Sequence, residues 1–178
     1  PKALQNRIFQ KFTIFATAIS RMIRDEYISK ESFEFEAGGR LDALKIVFHR
    51  SEQAWEAGDR RKVIWICHAL TANSDPCDWW PQMVGEGRLL DTGKYFVVCV
   101  NMLASPYGSS GPSSINPDTG KPYYFDFPHV TVRDIVKANE LVRRHLGIDK
   151  IDIIIGSSIG GFQAIEWTIM YPQAIANA

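Results

Sequence analysis

Three short, nearly unbroken apolar runs constrain this chain more than any other feature: "VIWIC" at 63–67, "YFVVCV" at 95–100 and "IDIII" at 151–155. A strand with one face in water alternates apolar and polar residues. Runs without that alternation are strands buried on both faces, the condition of a parallel sheet sandwiched between helices. "TVRDIVKANELVRRHLG" lies between the last two runs, with Thr131 placed to cap a helix and Asp134 three residues on. Val132, Ile135, Val136 and Val142 share one side and Gly147 marks the stop, which predicts a crossover helix between parallel strands. Ahead of these, "SFEFE" and "LDALKIVFH" flank Gly38 and Gly39 and read as a hairpin. The expected fold class is α/β, a mostly parallel sheet with an antiparallel N-terminal edge.

At 178 residues and 46% hydrophobic, the chain has material for one core. Residues 31–178 are expected to form it, and residues 1–30 to be a helical extension. Within that extension Phe12 to Ile23 reads as an amphipathic helix, too short for a membrane span and interrupted by Arg21. Twenty basic and twenty acidic residues cancel, so no long-range field favours nucleic acid or an anionic membrane. The three cysteines, Cys67, Cys77 and Cys99, are odd in number, and two lie inside apolar runs. That usage favours buried thiols in a reducing, cytoplasmic compartment.

Residues 101–128, "NMLASPYGSSGPSSINPDTGKPYYFDFP", exceed an ordinary α/β connection and hold five prolines. They also hold Tyr107, Tyr123, Tyr124, Phe125 and Phe127, which a disordered linker lacks. A folded, site-forming loop is the expectation.

"GSSIGG", residues 156–161, joins the last strand to a helix announced by Phe162, Ile165 and Ile169 and ended by Pro172. A reversal that sharp forces its central residue into a strained conformation, with small residues two positions away on either side. Gly156 and Gly160 bracket Ser158 in this way, whereas Ile155 and Ile159 bracket Ser157, so G-x-S-x-G selects Ser158 as a presented nucleophile. The Ile159 N–H, at the helix start, is one candidate donor to an oxyanion, and the Leu70 N–H in the loop after "VIWIC" is the second.

Other chemistries fit less well. The turn is not G-x-G-x-x-G, and Gly120-Lys121 has Ile115 where a P-loop needs glycine. Cys67, His68, Asp75, Cys77 and Asp78 lack the paired spacing of a metal site, so no metal is expected. Trp79 and Trp80 have no interleaved basic residues and read as packing.

"HALTANSD", "WW" at 79–80, "YFVVCVNML", "YGSSGPSSINPDTGKPY", "FPHVTVRDIVKA" and "GSSIGGFQAIEW" occur in the order found in the homoserine O-acetyltransferase family, which the chain resembles from about Ser32 to Pro172. "NMLASPYGSS" departs from the more usual "N-LGGC-GST" wording. The resemblance implies an α/β-hydrolase fold and transfer of an acetyl or succinyl group from acetyl-CoA or succinyl-CoA to the hydroxyl of L-homoserine in methionine biosynthesis. It places the nucleophile on Ser158 and the oxyanion amides on Leu70 and Ile159. It also implies small-molecule substrates, no bound cofactor and a homodimeric full-length enzyme. The alternatives are a serine esterase of the same fold and a non-catalytic fragment.

In this fold the acid and the histidine of the triad follow the serine in the chain. Beyond Ser158 there is only Glu166, and His49, His68, His129 and His145 all precede it. The expectation is therefore an N-terminal part of a longer chain, truncated after the elbow helix and inactive alone, with an open strand edge and apolar surface prone to association.

Overall fold

The structure, a computed structural model, describes residues 22–178. Their strands are β1 (Ile23–Ile28), β2 (Phe33–Glu34), β3 (Arg40–Leu41), β4 (Lys45–Arg50), β5 (Lys62–Cys67), β6 (Tyr95–Val100) and β7 (Ile153–Gly156). Among the described residues, the α-helices are α1 (Pro76–Trp79), α2 (Val132–His145) and α3 (Ile159–Met170). Five strands form one sheet in the order β1-β4-β6-β5-β7; β2 and β3 form a separate two-stranded ribbon. β5 runs parallel to both β6 and β7, and β4 runs antiparallel to β1 and β6.

The three apolar runs are the three parallel strands. Both sides of β5 and β6 are covered. On one face Val63, Trp65, Phe96, Val98 and Ile154 pack against Val136, Val142, Ala164 and Trp167 of α2 and α3. On the other, Ile64, Ile66, Val97 and Cys99 meet Met22, Val84 and Leu90, with Trp79 and Trp80 against them. This double burial is why the runs do not alternate.

α2 carries the capping box. The Thr131 side chain accepts from the Asp134 N–H while the Asp134 carboxylate accepts from the Thr131 N–H, and the helix spans 14 residues. Gly147 follows at φ +69°, a left-handed position that suits glycine.

Three expectations need correction. Of the expected helical extension 1–30, residues 1–21, and with them most of the Phe12–Ile23 helix, lie outside the described residues, and Ile23–Ile28 is strand β1. The hairpin around Gly38-Gly39 is only the short β2–β3 ribbon, because "LDALKIVFH" divides: Leu41 stays in the ribbon and Lys45–Arg50 enters the main sheet. The outer edge of β7 is partly covered, since residues 174–177 run alongside it with a parallel bridge from Ile151 to Ile175 and hydrogen bonds from the N–H of Ile151 to Ala174 O and of Ile154 to Asn177 O.

The long loop is ordered on the sheet. Where β6 ends, Ser109 and Ser110 continue along β4: their hydroxyls accept from the N–H groups of Val47 and Lys45 at 3.0 and 2.9 Å. The chain goes from β5 to β6 on one side, then crosses through α2 to β7 on the other. Strand order therefore reverses at β5, and the loops after β5 and β7 part there to leave a crevice at the carboxyl end of the sheet, the usual ligand position in such sheets.

Candidate active site

Ser158 stands at that crevice between β7 and α3, exposed, with φ +55° and ψ −127°. A side chain rarely adopts this backbone conformation, and one that does is held by its surroundings. The surroundings are backbone. A Cβ added to Gly156 would lie 2.0 Å from the Gly160 carbonyl oxygen, and one added to Gly160 would lie 2.1 Å from the Cys67 carbonyl oxygen at the end of β5. The elbow thus closes on itself and on the neighbouring strand with no room for a side chain at either position. Gly161 differs, since its nearest neighbour would be 3.7 Å away.

The first turn of α3 is tied back to the two serines: Gly160 N–H donates to Ser157 O at 2.8 Å and Gly161 N–H to Ser158 O at 2.9 Å. The Ile159 N–H makes no such bond to the described backbone, which leaves a free donor beside Ser158 at the positive end of the helix.

Across the crevice, the loop after β5 turns tightly. Ala72 N–H donates to Ala69 O at 3.0 Å, making Leu70 and Thr71 the turn's corner residues; the Leu70 N–H is likewise free of described backbone partners. His68 sits beneath, fully buried. Its Nε2 accepts from the Met102 N–H at 3.1 Å, so Nδ1 carries the proton and donates to Ala69 O at 2.8 Å. Burial lowers its pKa, opposed by the bond to Ala69.

The same loop is fastened to the long loop after β6. Asn101, buried, accepts from Ser74 N–H through Oδ1 at 2.7 Å and donates through Nδ2 to Tyr107 O at 2.9 Å. The Tyr107 hydroxyl donates to Thr71 O at 3.1 Å. Ser74 also meets His49 Nδ1 at 2.7 Å. No hydrogen bond among the described residues links a histidine to Ser158: His68 is occupied at both nitrogens, and His145 lies against the Tyr27 ring. The thiols are poor nucleophiles, because burial pushes Cys67 up to about 12 and Cys77 to about 11. The described residues contain no cluster of three or more His, Cys, Asp or Glu side chains able to hold a metal. Nor do they contain a helix long and apolar enough to cross a membrane.

The G-x-S-x-G spacing led to Ser158, Gly156 and Gly160 because steric crowding is a local requirement. His68, Asn101 and Tyr107 were missed as supports, since their partners lie in another loop, and only the polar residues at the ends of two buried strands signal them.

A strained serine between a parallel strand and a helix, facing the loop of the strand beside it, defines a class. A family model described as alpha/beta hydrolase fold matches residues 62–178, and the chain belongs to that family. Its relatives are more particular. Over 157 residues the chain is 40% identical to the homoserine O-acetyltransferase of Cyclobacterium marinum, a match covering 88% of this chain and 44% of that protein. Among solved structures, homoserine O-acetyltransferase from Bacillus anthracis superimposes with a TM-score of 0.75 at 28% identity, over 86% of this chain and 44% of the other. A crystallised esterase superimposes with a TM-score of 0.76 at 32% identity, over 87% and 46%. The chain spans less than half the length of these proteins.

Proposed function

We propose that the full-length protein is a homoserine O-acyltransferase working through an acyl-enzyme on Ser158. Oγ attacks the thioester carbonyl of acyl-CoA, and the N–H groups of Ile159 and Leu70 receive the developing oxyanion. The tetrahedral species collapses as the carbon–sulfur bond breaks, and CoA leaves as the thiol. The hydroxyl of L-homoserine then attacks the acyl-enzyme, giving the O-acyl product and restoring Ser158. The proton lost by Ser158 requires a general base, and no described histidine is hydrogen-bonded to serve. Acetyl-CoA is the donor favoured by the relatives' names, with succinyl-CoA the alternative. A cytoplasmic site and a homodimer accompany this reading.

The single observation carrying covalent catalysis is the backbone of Ser158, strained and enclosed by Gly156 and Gly160. The choice of acceptor rests on the identity to homoserine O-acetyltransferases across most of the chain. A second reading, ester hydrolysis, is favoured by the esterase of the same shape. The two differ in whether an acceptor alcohol outcompetes water.

Mass spectrometry of the full-length protein after incubation with acetyl-CoA tests the nucleophile. Ser158→Ala is expected to gain no acyl mass, while Ser157→Ala still does. An acylated Ser158→Ala protein overturns the reading. CoA release that rises with L-homoserine supports transfer; release indifferent to it supports the hydrolase.

A further inference from the structure

The Leu70 N–H is useful to an oxyanion only if it points into the crevice, and a turn at the tip of a loop does not by itself fix that direction. A peptide unit is planar and trans, so its C=O and N–H point in opposite directions. Leu70 N–H shares its plane with Ala69 C=O. That carbonyl is held from two sides, by Ala72 N–H at 3.0 Å and by His68 Nδ1–H at 2.8 Å. We propose that His68 is a positioning residue: by gripping the Ala69 carbonyl it sets the plane of the Ala69–Leu70 peptide and so aims the Leu70 N–H.

The ring can do this because it is itself fixed. Met102 N–H can only donate, so it makes Nε2 the acceptor and leaves the single ring proton on Nδ1, facing the carbonyl. His68 is fully buried at the end of β5, with no freedom to rotate away. The carboxyl end of β6 thereby governs the geometry of an amide in the loop after β5, through one imidazole. Asn101 Oδ1 on Ser74 N–H and Tyr107 Oη on Thr71 O hold the remainder of the turn in register. The same contacts exclude His68 as a general base, since its only free valence in the neutral form, the Nε2 lone pair, is taken. This inference rests on the proposed acyl-enzyme chemistry for its consequence in rate, although the tautomer it requires does not.

The test separates the two. The side-chain amide of Asn reaches the place of Nδ1 and can donate to Ala69 O; that of Gln reaches the place of Nε2 and can accept from Met102 but cannot grip Ala69. In the full-length protein, His68→Gln is expected to slow acylation by acetyl-CoA about 10- to 100-fold, with KM changed less than about twofold. His68→Asn is expected to stay within about tenfold of the parent. Equal acylation rates in parent and His68→Gln overturn the proposal. Ser158→Ala in the same series reports on the nucleophile alone: if it still acylates, the proposed function fails whatever the His68 variants do. Because a variant at a buried histidine can fail to fold, the ring nitrogens of the parent give an independent measurement. Their ¹⁵N resonances are expected to show Nδ1 protonated and Nε2 unprotonated from about pH 8 down to about pH 6. An Nε2–H tautomer, or a doubly protonated ring at neutral pH, overturns the proposal.

Discussion

Among single residues, two adjacent glycines make opposite demands. Gly160 lies against the Cys67 carbonyl, so a Cβ there meets backbone that cannot yield. Gly160→Ala is expected to cost about 3 kcal/mol or more. At Gly161 the backbone is helical and an added Cβ would make only ordinary contact, 3.7 Å from the Gly156 carbonyl oxygen, so Gly161→Ala should add up to about 1 kcal/mol by removing a flexible residue from α3. Urea unfolding of both variants checks this: two equal destabilisations would mean the elbow is not closed as described. The strained backbone at Ser158 was legible because a sharp strand-to-helix turn imposes small residues at fixed spacing. The supports of Leu70 were not, because a histidine after a strand carries the same letter whether it is a base, a ligand or a clamp. Only Met102 N–H, 34 positions along the chain, determines which.

The scale of elements shows why some segments were readable and others were not. Strands β5 and β6 announced themselves because a helix or packed loop covers each face, and β7 through its apolar wording although Ile153 is exposed. β1 did not, since "IRDEYI" is an edge strand with charged side chains, as an edge in water requires. α3 was recognised from Phe162, Ile165 and Ile169, yet these point outward, 60–64% exposed, and the inward side is Gly160, Gln163, Ala164 and Trp167. A helix with apolar residues on both sides shows its period in the sequence without showing which side turns inward. α3 is locked to α2 through Glu140, buried, which accepts from Arg143, Arg144 and Trp167 Nε1. Burial raises the Glu140 pKa, but the two guanidinium partners outweigh it and leave it below the ordinary value of 4.5. A depressed carboxyl pKa contributes stability above the unfolded-state value, and that contribution is lost as pH falls below it. Thermal midpoints should therefore drop below pH 4.5 in the parent. Glu140→Gln should be less stable at pH 7 by on the order of 3 kcal/mol, with a shallower acid slope. A variant with the parent's slope would remove Glu140 from the account.

Taken whole, the described residues bury clusters on both sides of the sheet and carry an apolar stripe on the surface, Phe162, Ile165 and Ile169 along α3. Contiguous exposed apolar surface favours association. Replacing Ile165 and Ile169 with Lys is expected to change stability by less than about 0.5 kcal/mol each, because neither enters the core, while lowering the apparent mass in size-exclusion chromatography at micromolar concentration. An unchanged elution volume would assign any association to another surface. The overall plan was legible from the order of apolar runs and the family wording; the division of "LDALKIVFH" between ribbon and sheet was not, because it is decided by the competing partners β1 and β6. The contact between Gly160 and the Cys67 carbonyl has a wider consequence. Elbow and neighbouring strand touch backbone to backbone, with no side chain between them that mutation could trim or enlarge. The spacing between the elbow and the end of β5 is therefore set by backbone alone. A breeder of new specificities would therefore work on the side chains around the serine and leave this backbone junction alone.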